Sequence, residues 1–302
     1  IVKDLEQASN LVGIQGEAQS AYITLDVVEA LKARVYLEME DYQNAAAAAQ
    51  GLINSKRYTL ISDGDAYKKM WLNDVGTEAI WQFAMSKTET GSNALGSSFM
   101  GIVDKLPRPS YLPVKSVLNL YDKENDIRYD AYFTTGLIDR QVGDDIEVTY
   151  CSKWPGNPEL YEGKSNNVNK LKAFRISEMY LIAAEAYAML NQEDKASEML
   201  NELKKIRIKG WTETVYNGAA LMQEIQDERV RELFAEGNRL FDMKRWKIGM
   251  KRSSSDAQRD DYLPALGTDI EKEATDNRWV WPIPKDEMDS NPQLKGQQNP
   301  GY

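Results

Sequence analysis

Residues 171–210 read LKAFRISEMYLIAAEAYAMLNQEDKASEMLNELKKIRIKG, and residues 221–246 read LMQEIQDERVRELFAEGNRLFDMKRW. In the first of these segments, apolar residues recur at steps of three and four, as on one face of an α-helix. The members of this stripe are Ile176, Met179, Ala183, Ala186, Tyr187 and Leu190. A second stripe follows the polar break at 191–194: Ala196, Met199, Leu200, Leu203 and Ile206. The two stripes predict a helical hairpin.

The same pattern occurs once upstream, in residues 30–53. Tyr36 aligns with Tyr187 and Ala45 aligns with Ala196, both at an offset of 151 positions. An aromatic residue, a short polar turn and a small residue nine positions later are typical of tetratricopeptide-like helix pairs, in which the small residue lets the helices approach closely. The sequence therefore predicts a mostly α fold with a tetratricopeptide-like helical scaffold.

The chain between the two repeats has a different texture. Residues 86–113 are rich in Gly, Ser and Pro, and residues 134–170 lack periodicity, so both are expected to be irregular. Long loops inside a compact domain are often functional. We expect a single domain in three parts: a helical scaffold at 1–57 and 171–250, a loop-rich insertion at 58–170, and a C-terminal extended strap at 251–302.

Composition excludes several functions. The chain has 37 Lys and Arg against 47 Asp and Glu, a net charge of −10, so binding to a nucleic acid is not expected. No apolar run approaches the ~18 residues that a membrane-spanning helix needs. Histidine is absent, which removes the commonest general base and metal ligand. The single cysteine cannot form an intrachain disulfide.

Three carboxylates fall on one helical face, at Glu228, Glu232 and Glu236, with Arg229 and Arg231 beside them. Two acids about 5–10 Å apart in a cleft would serve glycoside hydrolysis. Glu and Arg at spacings of three and four also form ion pairs readily. We interpret the group as an ion-pair network, and keep a carboxylate-based glycosidase as an alternative.

Metal and cofactor sites have little support in the sequence. The acidic run DKEND at 122–126 hints at calcium, but it lacks the glycine and the terminal glutamate spacing of a calcium loop. No glycine-rich phosphate loop follows a strand. We therefore expect no metal, no cofactor and no catalytic residue.

Aromatic residues in the irregular regions are the best candidates for ligand binding. Aromatic rings stack on the C–H faces of sugars, and polar side chains pair with hydroxyl groups, when loops hold them over a rigid scaffold. The predicted ligand-binding residues are Trp154, Phe99, Tyr111, Tyr161, Asn93, Arg108 and Asn157. Trp154 leads this set because Pro and Gly follow it in a segment without periodicity, although the same context fits a loop anchor.

Three segments carry a resemblance to a known family: residues 175–188, 228–246 and 277–302 (NRWVWPIPKDEMDSNPQLKGQQNPGY). Weaker echoes lie in 31–45 and 78–85. The chain resembles the C-terminal part of the SusD/RagB outer-membrane nutrient-binding lipoproteins. Family members are longer, with an N-terminal helical unit and a lipoprotein signal, so we expect a truncated, processed or short member.

The resemblance implies a SusD-like α/α superhelix and a function without catalysis. It implies a cell-surface protein, lipid-anchored in the outer membrane of a Bacteroidetes-type cell, that captures glycans or, less often, peptides. It further implies delivery of the ligand to a SusC-like TonB-dependent transporter. The family supplies no motif that fixes the ligand residues, and part of the site could belong to the N-terminal segment. A helical-repeat adaptor that binds peptides or proteins is a further alternative.

Overall fold

The structure is a computed structural model that describes residues 1–88, 94–103, 106–140, 143–165, 167–259 and 270–302. The α-helices are α1 Val2–Leu11, α2 Leu25–Glu38, α3 Tyr42–Ser55, α4 Gly64–Leu72, α5 Leu95–Phe99, α6 Lys115–Leu118, α7 Ile127–Tyr132, α8 Ile176–Met189, α9 Glu193–Arg207, α10 Gly218–Glu232, α11 Arg239–Arg245 and α12 Lys285–Ser290. The strands are β1 Ala79–Gln82, β2 Ile102–Val103, β3 Leu106–Pro107, β4 Phe133–Ile138, β5 Ile146–Cys151, β6 Lys172–Arg175, β7 Met250–Arg252 and β8 Ile270–Lys272. The chain divides into two compact units, Ile1–Glu236 and Gly237–Tyr302.

The two predicted helical hairpins are present and have matching limits. Leu25 begins α2 and Ile176 begins α8, while Tyr42 begins α3 and Glu193 begins α9. Both pairs of helix starts are 151 positions apart, which is the offset between the two repeats in the sequence. The prediction of a mostly α, tetratricopeptide-like scaffold is confirmed.

Small residues bring the scaffold helices together. Ala33 in α2, Ala45 in α3, Ala184 in α8 and Ala196 in α9 have no solvent-accessible surface. Helix α3 packs on α2 and also on α8, so the two hairpins stack directly although 120 residues separate Ser55 from Ile176. Helix α8 is therefore buried on both sides, as in stacked repeat proteins.

Side-chain caps determine where two of these helices begin. The Thr24 hydroxyl accepts a hydrogen bond from the backbone N–H of Val27 before α2, at 3.4 Å. The Asp41 carboxylate accepts from the N–H of Asn44 before α3, at 3.3 Å. Such caps satisfy backbone donors that the first turn leaves without a partner.

The insertion has its own aromatic core, which the prediction of a loop-rich segment did not include. The rings of Tyr67, Trp71, Tyr132, Phe133 and Trp154 pack together there and are buried. Trp71 meets Trp154 edge-on, with ring centroids 5.1 Å apart. The insertion therefore forms a second core within the unit Ile1–Glu236.

Two antiparallel strand pairs organise the insertion. Strand β4 pairs with β5 from Phe133 opposite Cys151 to Ile138 opposite Ile146, in a region expected to be irregular. Burial alternates along most of β5, as it does in a strand with one buried face. The strand has only 6 residues, so this alternation is too brief to identify the strand from sequence. Strand β1, within the insertion, pairs with β6, which follows the end of the insertion just before α8.

The C-terminal unit differs from the extended strap predicted for 251–302. It contains the β7–β8 hairpin, α12 and short 3₁₀ turns at Asn277–Trp279 and Pro292–Gln297. Asp276 and Asn291 cap the two turns by accepting from the backbone N–H groups of Arg278 and Gln293. A capping side chain and Pro292 at the first turn favour local helical turns over extended chain.

Candidate functional site

A buried carboxylate, Glu232, lies at the centre of a network of ion pairs. Its Oε1 atom accepts from Arg175 Nη1 at 2.8 Å and Arg207 Nη2 at 2.9 Å. Its Oε2 atom accepts from Arg207 Nε at 3.0 Å and Arg128 Nη1 at 3.1 Å. Arg128 belongs to the insertion, whereas Arg175 and Arg207 flank the second helical hairpin. The network therefore ties the insertion to the scaffold.

The neighbouring carboxylates are paired as well. Glu228 accepts from Arg128 at 2.5 Å and from Arg231 at 2.7 Å. Burial alone would raise the pKa of Glu228, but the charges of Arg128 and Arg231 outweigh it and lower the pKa to about 2. Glu236 accepts from Arg175 and Lys153, and its pKa is also lowered. The ion-pair interpretation is confirmed, because all three acids are held ionised beside cations.

Lys153 connects the aromatic core to this network. Its ammonium group donates to the Phe234 carbonyl oxygen and to Glu236 Oε1, both at 2.7 Å. It also lies 3.9 Å from the centroid of the Tyr132 ring and 4.1 Å from that of Trp71. Burial lowers the pKa of Lys153 to about 8. These contacts of Lys153 hold the loop that carries Trp154 against the ion-pair network.

Trp154, the leading ligand candidate, lies in the core and presents no ring face to solvent. It is 2% exposed, and its indole N–H donates to the Ala235 carbonyl oxygen at 3.2 Å. Asn157 is 1% exposed and donates to Asp74 Oδ2 at 2.9 Å and to the Asn73 carbonyl oxygen at 3.1 Å. Both side chains are loop anchors in this structure, so we leave them out of the proposed ligand surface.

Phe99 and Tyr111 lie next to each other and form an aromatic pair in which the Tyr111 ring is exposed. Their ring centroids are 6.3 Å apart with an interplanar angle of 54°. Tyr111 is 61% exposed, while Phe99 is half-buried and packs on the aromatic core. The backbone N–H of Ser110 donates to the Ser98 carbonyl oxygen at 2.9 Å, which joins the loop of Tyr111 to helix α5, where Phe99 lies.

Arg108 lies between the two rings in sequence and is held in place by the end of β4. Its guanidinium donates to the Asp139 carboxylate, and the backbone N–H of Asp139 donates to the Pro107 carbonyl oxygen at 2.9 Å. The backbone N–H of Arg108 donates to the Gly101 carbonyl oxygen at 2.7 Å. Phe99, Tyr111, Arg108 and Asp139 together define the candidate site, called the aromatic-pair site below.

Of the remaining predicted residues that the structure describes, Tyr161 is not brought into this site. Tyr161 is half-buried on a different loop, after the 3₁₀ turn Pro158–Leu160. Asn93 lies outside the described residues. Sequence reasoning missed Asp139, because its role depends on pairing across the β2–β3 and β4 segments, which no local spacing reports.

Gly96 shows why α5 packs where it does. A Cβ atom on this residue would overlap the Trp154 carbonyl oxygen and lie 2.7 Å from the Asn167 carbonyl oxygen. Only glycine permits that approach. Trp154 therefore supports the aromatic-pair site through its backbone, by carrying the helix that ends at Phe99.

Acidic groups elsewhere have other partners. Asp122 accepts from the side chain of Asn125 and from two backbone N–H groups, while Asp126 pairs with the buried Arg128. Over the described part of the chain, no group of three or more acidic or thiol side chains could hold a metal ion. None of the described helices is long and apolar enough to cross a membrane.

The SusD family model matches residues 145–302, slightly more than half of the chain. The chain therefore belongs to the SusD family. It is 24% identical to SusD-like protein P38 of Formosa agariphila, over 98% of this chain and 63% of that protein. It is 22% identical to SusD-like protein P25 of the same organism, over 82% of this chain and 54% of that protein.

Solved structures agree with this assignment. A SusD superfamily protein from Bacteroides thetaiotaomicron VPI-5482 matches with a TM-score of 0.80 at 29% identity, over 99% of this chain and 65% of that one. Surface glycan-binding protein A from Bacteroides fluxus matches with a TM-score of 0.69 at 21% identity, over 100% of this chain and 68% of that one. The chain spans less than two thirds of the length of the Bacteroides thetaiotaomicron protein and of SusD-like protein P38.

Proposed function

We propose that this protein captures glycans at the cell surface and does not transform them. The observation that carries the proposal is the Phe99–Tyr111 pair, in which Tyr111 is exposed and a backbone hydrogen bond joins its loop to helix α5. Ring faces of this kind suit the C–H faces of a sugar, and the adjacent Arg108 and Asp139 supply hydrogen-bonding groups. The name of the similar Bacteroides fluxus protein, a surface glycan-binding protein, supports the same ligand class.

The absence of catalysis is part of this proposal. The acids that could have served a glycosidase, Glu228 and Glu232, are buried and paired with arginines, so neither faces a cleft. Proton transfer to a glycosidic oxygen needs a carboxyl group within hydrogen-bond reach of the substrate. Membership of the SusD family supports the same conclusion.

Delivery to a SusC-like TonB-dependent transporter, and lipid anchoring at the outer membrane, complete the proposal. Family membership supports both parts of the proposal. In this view the aromatic-pair site binds weakly enough to release its ligand on transport. Stacking plus a few hydrogen bonds, without a covalent step, satisfies that requirement.

A glycan array followed by calorimetry on the best ligand tests the proposal. Tyr111→Ala should weaken binding at least tenfold, which corresponds to about 1.4 kcal/mol. Tyr22→Ala is the matched control, because Tyr22 is 79% exposed and lies far from this site in sequence. It should leave the affinity unchanged.

Three outcomes would contradict the proposal. Tyr111→Ala could bind the selected glycan as well as the parent protein does, which would remove the aromatic-pair site. Incubation with the glycan could release shorter sugars, seen by chromatography, which would favour the glycosidase alternative. Array peptides serve as a comparison ligand, and tighter binding to them than to any glycan would favour the adaptor alternative.

A further inference from the structure

The C-terminal unit, Gly237–Tyr302, contains a cavity that the aromatic-pair site does not use. Its volume is about 260 Å³. One wall comes from α11 and the turn after it, and the other comes from residues 274–280 and the chain terminus. The lining residues that matter here are Met243, Lys244, Ile248, Thr275, Asn277 and Trp279.

The chain terminus folds back and forms part of the cavity wall through Asn299 and Pro300. The Asn299 side-chain amide donates to the Trp281 carbonyl oxygen at 2.5 Å. Gly301 adopts a φ of +99°, and a Cβ atom on it would approach Arg278 Cγ to 3.1 Å. Glycine therefore suits this turn both by its backbone conformation and by the space available. Contacts within the protein therefore preform the part of the wall that the terminus contributes.

Trp279 is oriented in advance as well. Its indole N–H donates to the Glu273 carbonyl oxygen at 2.7 Å, and the Lys272 ammonium lies 5.2 Å from the ring centroid. The ring is half-buried in the wall of the cavity. An aromatic side chain fixed in this way loses little conformational entropy when it contacts a ligand.

The chemistry of the lining is mixed. Met243, Ile248 and Trp279 are apolar, whereas Thr275 and Asn277 offer a hydroxyl and an amide. The Asp276 carboxylate is engaged by Arg278 Nε at 3.0 and 3.1 Å and by the Arg278 backbone N–H at 2.7 Å. A ligand with apolar faces and several hydroxyl groups fits this combination.

We propose that this cavity is a second carbohydrate site that binds one pyranose unit. Its volume is below the ~300–1,000 Å³ of pockets for drug-sized ligands, so it has room for a single sugar ring rather than a chain. Trp279 supplies the stacking surface, and Thr275 and Asn277 bind hydroxyl groups. The inference rests on the proposed function only in its ligand class, since the two sites share no residue.

Fluorine NMR on the full chain labelled with 5-fluorotryptophan tests the inference. The chain has seven tryptophans, and Trp279→Phe identifies the Trp279 signal by its loss. The probes are the methyl glycosides of glucose, galactose, mannose and xylose. At least one should shift the Trp279 signal saturably. Trp281, two positions away and 76% exposed, provides an internal control signal that should not shift.

Variants separate this inference from the proposed function. Asn277→Ala should raise the Kd of the responding glycoside at least threefold, whereas Tyr111→Ala should leave that Kd unchanged. If no glycoside moves the Trp279 signal, or if Trp281 moves equally, the second site is overturned, even where Tyr111→Ala abolishes oligosaccharide binding. If Trp279 responds while Tyr111→Ala binds oligosaccharide normally, the second site stands and the aromatic-pair site does not.

Discussion

Glu228 and Glu232 show how single residues connect distant parts of this fold. Between them they accept hydrogen bonds from Arg128 in the insertion, Arg207 in the scaffold and Arg231 in α10. Buried charges are costly to desolvate, and loss of one partner leaves the other without compensation. The specific pairing of these residues therefore determines how the insertion is attached to the helices.

The lowered pKa of Glu228 predicts a loss of stability in acid. An unfolded glutamate has a pKa near 4.5, and the folded group has a pKa of about 2. A group whose folded pKa is lowered stabilises the protein fully above pH 4.5, and this contribution is lost as pH falls towards 2. The contribution is on the order of 3 kcal/mol. Urea unfolding at pH 6, 5, 4 and 3 measures it.

Glu228→Gln should reduce the slope of unfolding free energy against pH over that interval. Glu202→Gln is the control, because Glu202 makes an exposed ion pair with Lys205 within one helix, a kind of pair that contributes little. It should keep the parent slope. Equal slopes for Glu228→Gln and the parent protein would mean that Glu228 is not held ionised by its arginines.

At the scale of elements, α5 positions the aromatic-pair site through its contact with the loop of Trp154. The absence of a side chain at Gly96 allows this contact. The helix ends at Phe99, so a displacement of α5 moves one of the two rings directly. Short helices of this size have little stability of their own and depend on such tertiary contacts.

Gly96→Ala should therefore weaken glycan binding about as much as Tyr111→Ala does. The added Cβ atom meets backbone carbonyl groups, which cannot move aside as a flexible side chain would. Gly51→Ala is the matched control in the middle of α3, where a Cβ atom has nothing within 4 Å. That change should raise stability by up to about 1 kcal/mol and leave binding unchanged. Calorimetry and urea unfolding measure both effects, and unaltered affinity in Gly96→Ala would contradict the role given to α5.

The helical elements could be predicted from sequence because their signal is local. Apolar spacing and the small residues Ala45 and Ala196 determine both hairpins within about 25 positions. The core of the insertion could not, because Trp71 and Trp154 meet only after the chain has folded. The Pro and Gly that follow Trp154 fit an exposed platform and a buried anchor equally well. Sequence also predicts Phe99 and Tyr111 only as separate candidates, because the contact between their rings forms when the chain folds.

At the scale of the whole molecule, the net charge of −10 affects which glycans approach the chain. The negative electrostatic potential of the protein disfavours the approach of anionic ligands, and salt screens this repulsion. We expect neutral glycans to bind better than sulfated or uronate-rich ones at low ionic strength. For any anionic glycan that binds, affinity should increase between 20 mM and 300 mM sodium chloride. Calorimetry at the two concentrations measures this, and a decrease would reveal a local cationic site that overrides the net charge.

Strands β1 and β6 pair side by side, and the backbone N–H of Phe83 donates to the Leu171 carbonyl oxygen at 2.9 Å. The loops of the aromatic-pair site therefore lie in a stretch of chain, 83–171, whose two ends are held together. Their supporting core also takes Tyr67 and Trp71 from α4, which precedes this strand pair. Protein engineers who exchange these loops to redirect recognition would therefore have to keep α4 and Arg128, because both hold the insertion on the helices.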